Sequence, residues 1–389
     1  MFNLFQKQAK FNSKNNSIIF GDDEPEWTGR EYSTIARESY CKNVIAHRCI
    51  SMIAKNIASI PIKVFDNSLE KRVLKNSHDV IELIKRPNPY MSGKDLIEEF
   101  ISFCLIGGES YILAIRNAIG HPIELHCIRP DQVKVQYDKS GVKTGYIYFS
   151  GENKIVHKID KINGLSNIMM FKNFHPLYRD KGVSQVEAAL NSIDQHNQAS
   201  KWNQTLLQNS ARPSGALIMS GGHMMTQKQY DQLKEQIQEC FTGVNNNGRP
   251  ILLEGGLEWK ELALTPKDMD FIESKNTAAR EIALALGVPP QLLGIPGDNT
   301  YSNFHEARLA FWEDTILPLA LKAYDQLANW FGKMYEQDLE FSLDTDQISA
   351  LSSRREALWA RLEQATFLST NEKRAILGFP PLEGENRSS

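Results

Sequence analysis

The feature that most constrains this chain is a long helical stretch, residues 184–210, that is polar nearly all round. Asn191, Asp194, Gln195, Asn197, Gln198, Ser200, Asn203, Gln204, Gln208 and Asn209 leave only a thin apolar stripe of Val186, Leu190, Ile193 and Leu206. A helix without a wide apolar face is rarely a core element; it bridges solvent or packs against copies of itself. At about 1.5 Å per residue it spans roughly 40 Å. Pro213 ends it.

The segments on either side give that helix a context. Residues 215–264 read as a compact α/β insert: an apolar strand over 216–219, a helix capped by Thr226 and reaching Phe241, and two strands over 250–253 and 257–262. Thr265-Pro266-Lys267-Asp268 then supplies an N-cap, a proline at the first helical position and an acid in the first turn. Met269, Ile272, Ala279, Ile282 and Leu286 follow at helical spacing, Gly287 closes the helix and Pro289-Pro290 forbids its continuation. The next stretch, residues 287–303, reads as irregular, and a loop of that length inside a compact chain is usually functional or disordered. Ser302 or Asn303 is expected to cap a further long helix over 304–331, kinked at Pro318. Phe311, Trp312, Trp330 and Phe331 on that helix are read as core. A strand over 339–343 follows, and Ser369 with Glu372 makes a capping box for a final short helix ending at Gly378.

The N-terminal part is mixed. Val44, Ile45, Cys49, Met52, Ile53, Ile57 and Ile60 recur at helical spacing before Pro61 and a short strand over 62–65. A second helix runs over 92–106 with Ser92 as its N-cap and Gly107-Gly108 as its stop. Strands follow over 110–116, 125–128, 133–137, 144–149 and 154–158, with Asp138-Lys139-Ser140-Gly141 as a turn.

Composition narrows the function classes. The 389 residues are 41% hydrophobic and 23% charged, ordinary for a globular chain, and the net charge of -3 excludes a bulk nucleic-acid binder held by a basic surface. Cys41, Cys49, Cys104, Cys127 and Cys240 stand singly and are odd in number, which reads as reduced thiols rather than a disulfide framework. No apolar run approaches a membrane span, and acids at Glu306, Glu313, Asp314 and Asp325 argue against a membrane-surface helix. No phosphate-binding loop of the Gly-x-x-x-x-Gly-Lys type occurs. Asp344-x-Asp346 offers two carboxylates for a divalent metal and nuclease or transfer chemistry, but such a pair at a strand end more often caps the next helix. His121, His126 and Cys127 lack a fourth ligand nearby. Gly107-Gly108-Glu109-Ser110 has no nucleophile-elbow pattern. His196 and His305 read as surface or interface residues rather than bases.

Local sequence in this order resembles one family. Gly182-Val183-Ser184-Gln185-Val186-Glu187-Ala188-Ala189 is similar to the start of the first stem helix of tailed-phage portal proteins of the HK97 type, and Ala211-Arg212-Pro213-Ser214-Gly215 to its exit into the clip. Gly248-Arg249-Pro250 and Leu253-Glu254-Gly255-Gly256 resemble the clip's return strands. Ala279-Arg280-Glu281-Ile282-Ala283, leading to Gly287-Val288-Pro289-Pro290-Gln291-Leu292-Leu293-Gly294, is the most specific match. Thr370-Asn371-Glu372 with Gly378-Phe379-Pro380-Pro381 resembles the family's ending. The resemblance spans about 44–384, and the short form is also similar to portals of gene-transfer particles.

The resemblance implies an α+β portal fold: a flexible N-terminal arm (1–30), a mixed wing (31–181), a stem helix (182–211), a clip (212–264), a second stem helix (265–287), a tunnel loop (288–303), a return to the wing through the kinked helix (304–345), and short crown-like C-terminal helices (346–389). It implies a non-enzymatic ring subunit without cofactor, metal or membrane contact. The ring, usually of twelve, sits at one capsid vertex of a virion assembled in the host bacterial cytoplasm. Its partners are copies of itself, the major capsid protein, double-stranded DNA bound without sequence preference, the large terminase subunit and a head–tail connector. The tunnel loop implies DNA contact at Gln291, Leu292, Leu293, Asp298, Asn299, Thr300 and Tyr301, and the clip implies docking at Thr242, Asn245, Asn246, Asn247 and Arg249. Residues 287–303 contain no Lys or Arg. Such a loop cannot bind phosphates through counterion release, which suits contact without grip. An adaptor that never touches DNA is the other reading the helix-and-insert layout permits.

Overall fold

The computed structural model describes residues 28–68, 72–208, 215–219, 257–261, 271–296, 301–377 and 382. A short helix α1 (Tyr32–Ala36) runs through a π-helical turn (Arg37–Cys41) to α2 (Val44–Ser59). Asn43 caps α2: its Oδ1 accepts the backbone N–H of both Ile45 and Ala46 at 3.0 Å. Strands β1 (Ile62–Asp66) and β2 (Val73–Lys75), helix α3 (Asp79–Lys85) and α4 (Gly93–Gly107) follow. The expected cap and stop of α4 are observed, with the helix one residue later at each end: Ser92 and Asp95 form a capping box, and Gly108 closes the helix in the left-handed region at φ 79°.

Next come β3 (Glu109–Arg116), β4 (Pro122–Ile128), β5 (Val133–Tyr137), β6 (Lys143–Ser150), β7 (Asn153–Lys158) and β8 (Ile168–Lys172). They build two antiparallel three-stranded sheets, β4-β3-β8 and β5-β6-β7. The first is buried on both faces, and the period-two alternation of a strand sorts its side chains. Ile112, Ala114, Leu125, Met169 and Phe171 face the main core. Tyr111, Ile128, Ile168 and Met170 face the second sheet, where Val133 and Tyr146 meet them. Because β8 is apolar on both faces, it shows no alternation in sequence.

The rest of the chain contains α5 (Gln185–Ala188), α6 (Leu190–Gln208), the paired strands β9 (Gly215–Met219) and β10 (Leu257–Glu261), α7 (Phe271–Ala285), α8 (Tyr301–Ala310) and α9 (Leu317–Tyr335). Strand β11 (Leu339–Leu343), α10 (Ser352–Gln364) and α11 (Thr370–Ile376) complete it. Strand β11 pairs antiparallel with β1, Ile62 opposite Leu343, so the last part of the chain is built into the first. Phe311, Trp312, Trp330 and Phe331 are buried with Ile50, Ile53 and Phe100 in one core, as expected. Helix α9 also covers the free edge of β8. Lys322 Nζ donates to Lys172 O at 2.8 Å, the Gln326 side-chain amide donates to Met170 O, and Trp330 Nε1 donates to Ser166 O at 2.9 Å. An edge occupied in this way offers few groups for strand addition.

Two expectations for the long helix are corrected. Helix α9 runs to Tyr335, past the expected end at Phe331. In place of a kink at Pro318 the helix carries a π-helical turn (Phe311–Ile316) directly before α9, and the helical backbone runs on through Ile316 and Leu317. Residues 1–27 of the expected N-terminal arm lie outside the described residues; the Thr28 backbone N–H donates to Asp194 Oδ2 at 3.0 Å and its hydroxyl donates to Asp194 Oδ1. The expected helix from Thr226, the strand over 250–253 and the Thr265-Pro266 cap lie outside the described residues. The capping box before α11 is present, with Ser369 N donating to Glu372 Oε2 at 2.8 Å and Glu372 N donating to Ser369 Oγ at 3.3 Å.

Candidate functional site

The long polar helix divides at Ala189, whose φ of -93° and ψ of 6° separate α5 from α6. Of the apolar stripe read in the sequence, Val186, Leu190 and Ile193 are buried. They pack near Ala278, Ala279, Ile282 and Ala283 of α7, which are buried as well. Ser192 Oγ, early in α6, donates to Glu281 Oε2, late in α7, at 2.6 Å. The two helices are therefore antiparallel, and the strands between them in sequence, β9 and β10, pair from Gly215–Glu261 to Met219–Leu257.

The first half of α6 is less solvated than its polarity suggests. Asp194 and His196 are buried within the subunit, at 7% and 4% exposure, so the reading of His196 as a surface or interface residue is corrected. Asp194 holds Thr28. Asn43 Nδ2 lies 3.3 Å from His196 Nδ1 and 3.0 Å from Asn197 Oδ1, and Asn197 Nδ2 donates to Glu38 O at 3.0 Å. Burial, with the Lys275 charge nearby, pushes the His196 pKa down. Buried polar side chains need such partners, and here they come from residues about 150 positions away. Past Ser200 the character changes: Lys201, Trp202, Asn203, Gln204 and Thr205 are all exposed. A groove of about 740 Å3 runs beside this helix, lined by Thr28, Glu38, Lys42, Asp194 and Lys201 among others.

The segment after α7 is anchored at both ends. Gly287 stands at φ 68°. Its N–H donates to Leu284 O at 3.0 Å and that of Val288 to Ala283 O at 2.8 Å, which is a Schellman closure. Thr315 Oγ1 donates to Gly287 O at 2.6 Å, and the Arg280 guanidinium donates to Pro296 O. Val288 and Ile295 are buried. The expected irregular loop is thus shorter than read. Pro290–Leu293 forms a 3-10 turn, and α8 begins at Tyr301, so neither Ser302 nor Asn303 is a cap. Leu292 and Leu293 pack against the main core, while Gln291 is half-buried on the same turn. Asp298, Asn299 and Thr300 lie outside the described residues, as do Thr242, Asn245, Asn246, Asn247 and Arg249.

Among the described residues the alternative chemistries find no assembled site. Asp344 accepts from Lys63 Nζ at 3.1 Å and from Gln347 Nε2 at 3.1 Å. It stands at the start of the 3-10 turn Thr345–Gln347 without a capping bond, so the cap reading is corrected. Asp346 is 3.8 Å from Arg355 Nη1. His121 stacks on Tyr335 with centroids 4.7 Å apart, His126 Nε2 is 2.9 Å from Glu124 Oε2, and Cys127 Sγ faces Leu96 O at 3.4 Å. These three point to different neighbours and do not converge. Among the described residues no helix is long and apolar enough to cross a membrane.

A mixed α+β body, an antiparallel helix pair leaving it and a strand-bearing insert between those helices define a portal-type subunit. The family pattern described as "Phage portal protein" matches residues 45–378. A protein of Rickettsia bellii (strain RML369-C) is 46% identical over 348 residues, 89% of each chain. The portal protein of Enterobacteria phage HK97 is 24% identical over 349 residues, 87% of this chain and 78% of its own. A chain in the neck of a native gene transfer agent (GTA) particle, solved with C12 symmetry, is 38% identical, covers 92% of this chain and 96% of its own, and superposes with a TM-score of 0.69. The chain belongs to the phage portal protein family, a family of structural, non-enzymatic proteins.

Proposed function

We propose that this chain is the repeating subunit of a ring, of about twelve copies by analogy with the C12 neck of the gene transfer agent particle, set at one vertex of a phage or phage-like capsid. The ring is the channel through which double-stranded DNA enters and leaves. The strand insert between α6 and α7 is where the terminase large subunit docks during packaging and a head–tail connector afterwards, through Thr242, Asn245, Asn246, Asn247 and Arg249; the body meets the major capsid protein. The observation that carries this reading is the division of α6. Its first half is buried against α7 and the π-helical turn before α2, and residues 201–205 are exposed. An isolated subunit gains nothing from holding such a helix in solvent, whereas a ring gives it neighbours on two sides and a wet channel on a third.

The segment 288–303 supplies contact without grip. Gln291, Asp298, Asn299, Thr300 and Tyr301 touch the passing duplex weakly, and Leu292 and Leu293 hold the turn onto the core. The absence of Lys and Arg keeps the contact free of the counterion release that makes binding tight. Negative-stain imaging with mass photometry of the purified protein tests the reading. Rings with an open channel wide enough for a duplex (roughly 20 Å, by the groove dimensions of B-DNA) are the expected result. A compact closed dimer without a channel overturns it, and a ring too narrow for a duplex favours an adaptor that does not contact DNA.

A further inference from the structure

A pocket of about 520 Å3 opens where β6, β8 and α9 meet, lined by Lys143, Tyr146, Lys172, Asp180, Lys322 and Gln326 with their neighbours. Its charges are unbalanced. The Lys143 ammonium sits 4.4 Å from the centre of the Tyr146 ring and 3.7 Å from Asp180 Oδ1, a loose pairing for a side chain only 25% exposed. Lys322 spends a hydrogen bond on Lys172 O and lies over the Phe171 ring at 5.0 Å. Among the described residues neither Lys172 nor Lys322 has a carboxylate partner. The acids nearby are committed. Asp180 also accepts from Tyr137 OH at 2.7 Å, and Glu109 accepts from Tyr111 OH at 3.1 Å and Gly182 N at 3.2 Å. Clustered cations in a recess repel one another and lose hydration; an incoming anion relieves both costs.

Beside the pocket, the loop that follows β8 holds apolar side chains outward. Phe174 and Leu177 are each 80% exposed and Tyr178 is 57% exposed. The loop is held in shape: His175 Nδ1 accepts the N–H of Leu177 at 3.0 Å and of Tyr178 at 3.1 Å, and Lys181 Nζ lies 5.5 Å from the centre of the Tyr178 ring. Three large apolar groups on an ordered loop at the rim of a cationic recess have the anatomy of a binding surface, an apolar anchor bordered by charge.

We infer that this pocket and loop dock an acidic segment of a partner protein, a stretch carrying carboxylates beside an apolar or aromatic anchor. The carboxylates enter among Lys143, Lys172 and Lys322, and the anchor packs on Phe174 and Leu177. A peptide satisfies both halves of the surface. A DNA duplex does not, because its phosphate backbone offers nothing to Phe174 and Leu177 while its bases are stacked away. None of these residues is assigned a part in the channel or in docking at the insert, so the surface goes beyond the channel role.

Fluorescence anisotropy with the full chain and a labelled peptide of repeating Glu-Glu-Phe tests the inference. Saturable binding is expected. Lys172→Glu, Lys322→Glu and the double substitution Phe174→Ser with Leu177→Ser are each expected to weaken it by roughly tenfold or more. The Phe174 and Leu177 side chains are exposed and hold no core contact, so thermal unfolding of that variant should match the parent. The inference is overturned by an absence of saturable binding, by equal affinity in all variants, or by a short DNA duplex competing the peptide away. It is also overturned if the peptide binds free subunits but not assembled rings, which would assign the surface to a second copy of this chain.

Discussion

The carbonyl oxygens of Gly108 and Gly182 each occupy the place where the other residue would carry a Cβ. A Cβ on Gly182 would lie 1.8 Å from Gly108 O, and one on Gly108 would lie 2.4 Å from Gly182 O. The contact joins the end of α4 to the start of the stem. Asn173 N donates to Gly108 O at 2.9 Å, and Ser184 Oγ donates to Ile106 O at 2.6 Å. Gly182→Ala must push these backbones apart, and overpacking of this kind costs about 1–3 kcal/mol. Urea unfolding should show that loss, whereas Gly29→Ala, whose Cβ would meet only Thr34 Cγ2 at 4.0 Å, should be close to neutral.

Stability should fall on mild acidification, and Asn43 explains the sign. Its Oδ1 is committed to the N–H groups of Ile45 and Ala46, so its Nδ2 must face His196 Nδ1, which then accepts and carries no proton. The folded-state pKa of His196 lies below the ordinary value, chiefly through burial, and that of His157 is lowered by burial too. In the window below about 6.5 the unfolded chain therefore binds more protons than the folded one, and stability is lost as pH drops through it. Denaturant midpoints measured from about pH 7.5 to about pH 5 should decline, and His196→Gln should flatten the decline; an unchanged slope would remove His196 from the account.

Thiol chemistry should separate the cysteines by burial. Cys41 is exposed, while Cys49 and Cys104 are buried and their pKa values are pushed up to about 12, with Cys127 raised as well. The thiolate is the reactive form. With Cys240 replaced by serine, a thiol reagent at neutral pH should modify Cys41 quickly and Cys49 and Cys104 only after denaturant is added.

Lysines placed in the segment after α7 should slow DNA passage. Gln291→Lys combined with Asn299→Lys and Thr300→Lys adds cations where the chain has none, each able to release a counterion. Packaging assays should show slower translocation that recovers as salt is raised. Unchanged kinetics would mean that this segment does not meet the duplex.

Sequence reasoning succeeded where the signal is local. The ends of α4 follow from Ser92, Asp95 and Gly108, three residues whose capping chemistry acts within one turn. It failed where partners are remote. Strand β8, Ile168–Lys172, is apolar on both faces and so lacks the alternation that marks a half-buried strand. The first half of α6 looks solvated because Asp194 and His196 are polar, and only Thr28 and Asn43 explain their burial. Asn43 itself was readable as a cap before an apolar helix, but nothing local says that its amide reaches across to His196. The 3-10 turn at Pro290–Leu293 was masked by Pro289 before it and Pro290 in it, which break a helix yet suit a tighter turn.

The π-helical turn Phe311–Ile316 has a consequence for how this helix tolerates change in length. A π turn holds one more residue than the α turn it replaces, so every side chain from Leu317 to Tyr335 faces about 100° away from where an unbroken helix would put it. Lys322, Gln326 and Trp330 reach β8 only in that phase. Removing a single residue from 311–316 would set Pro318 inside an unbroken α-helix and would turn the whole covering face off the sheet edge. The irregular turn is a phase setter for the face that covers the sheet edge.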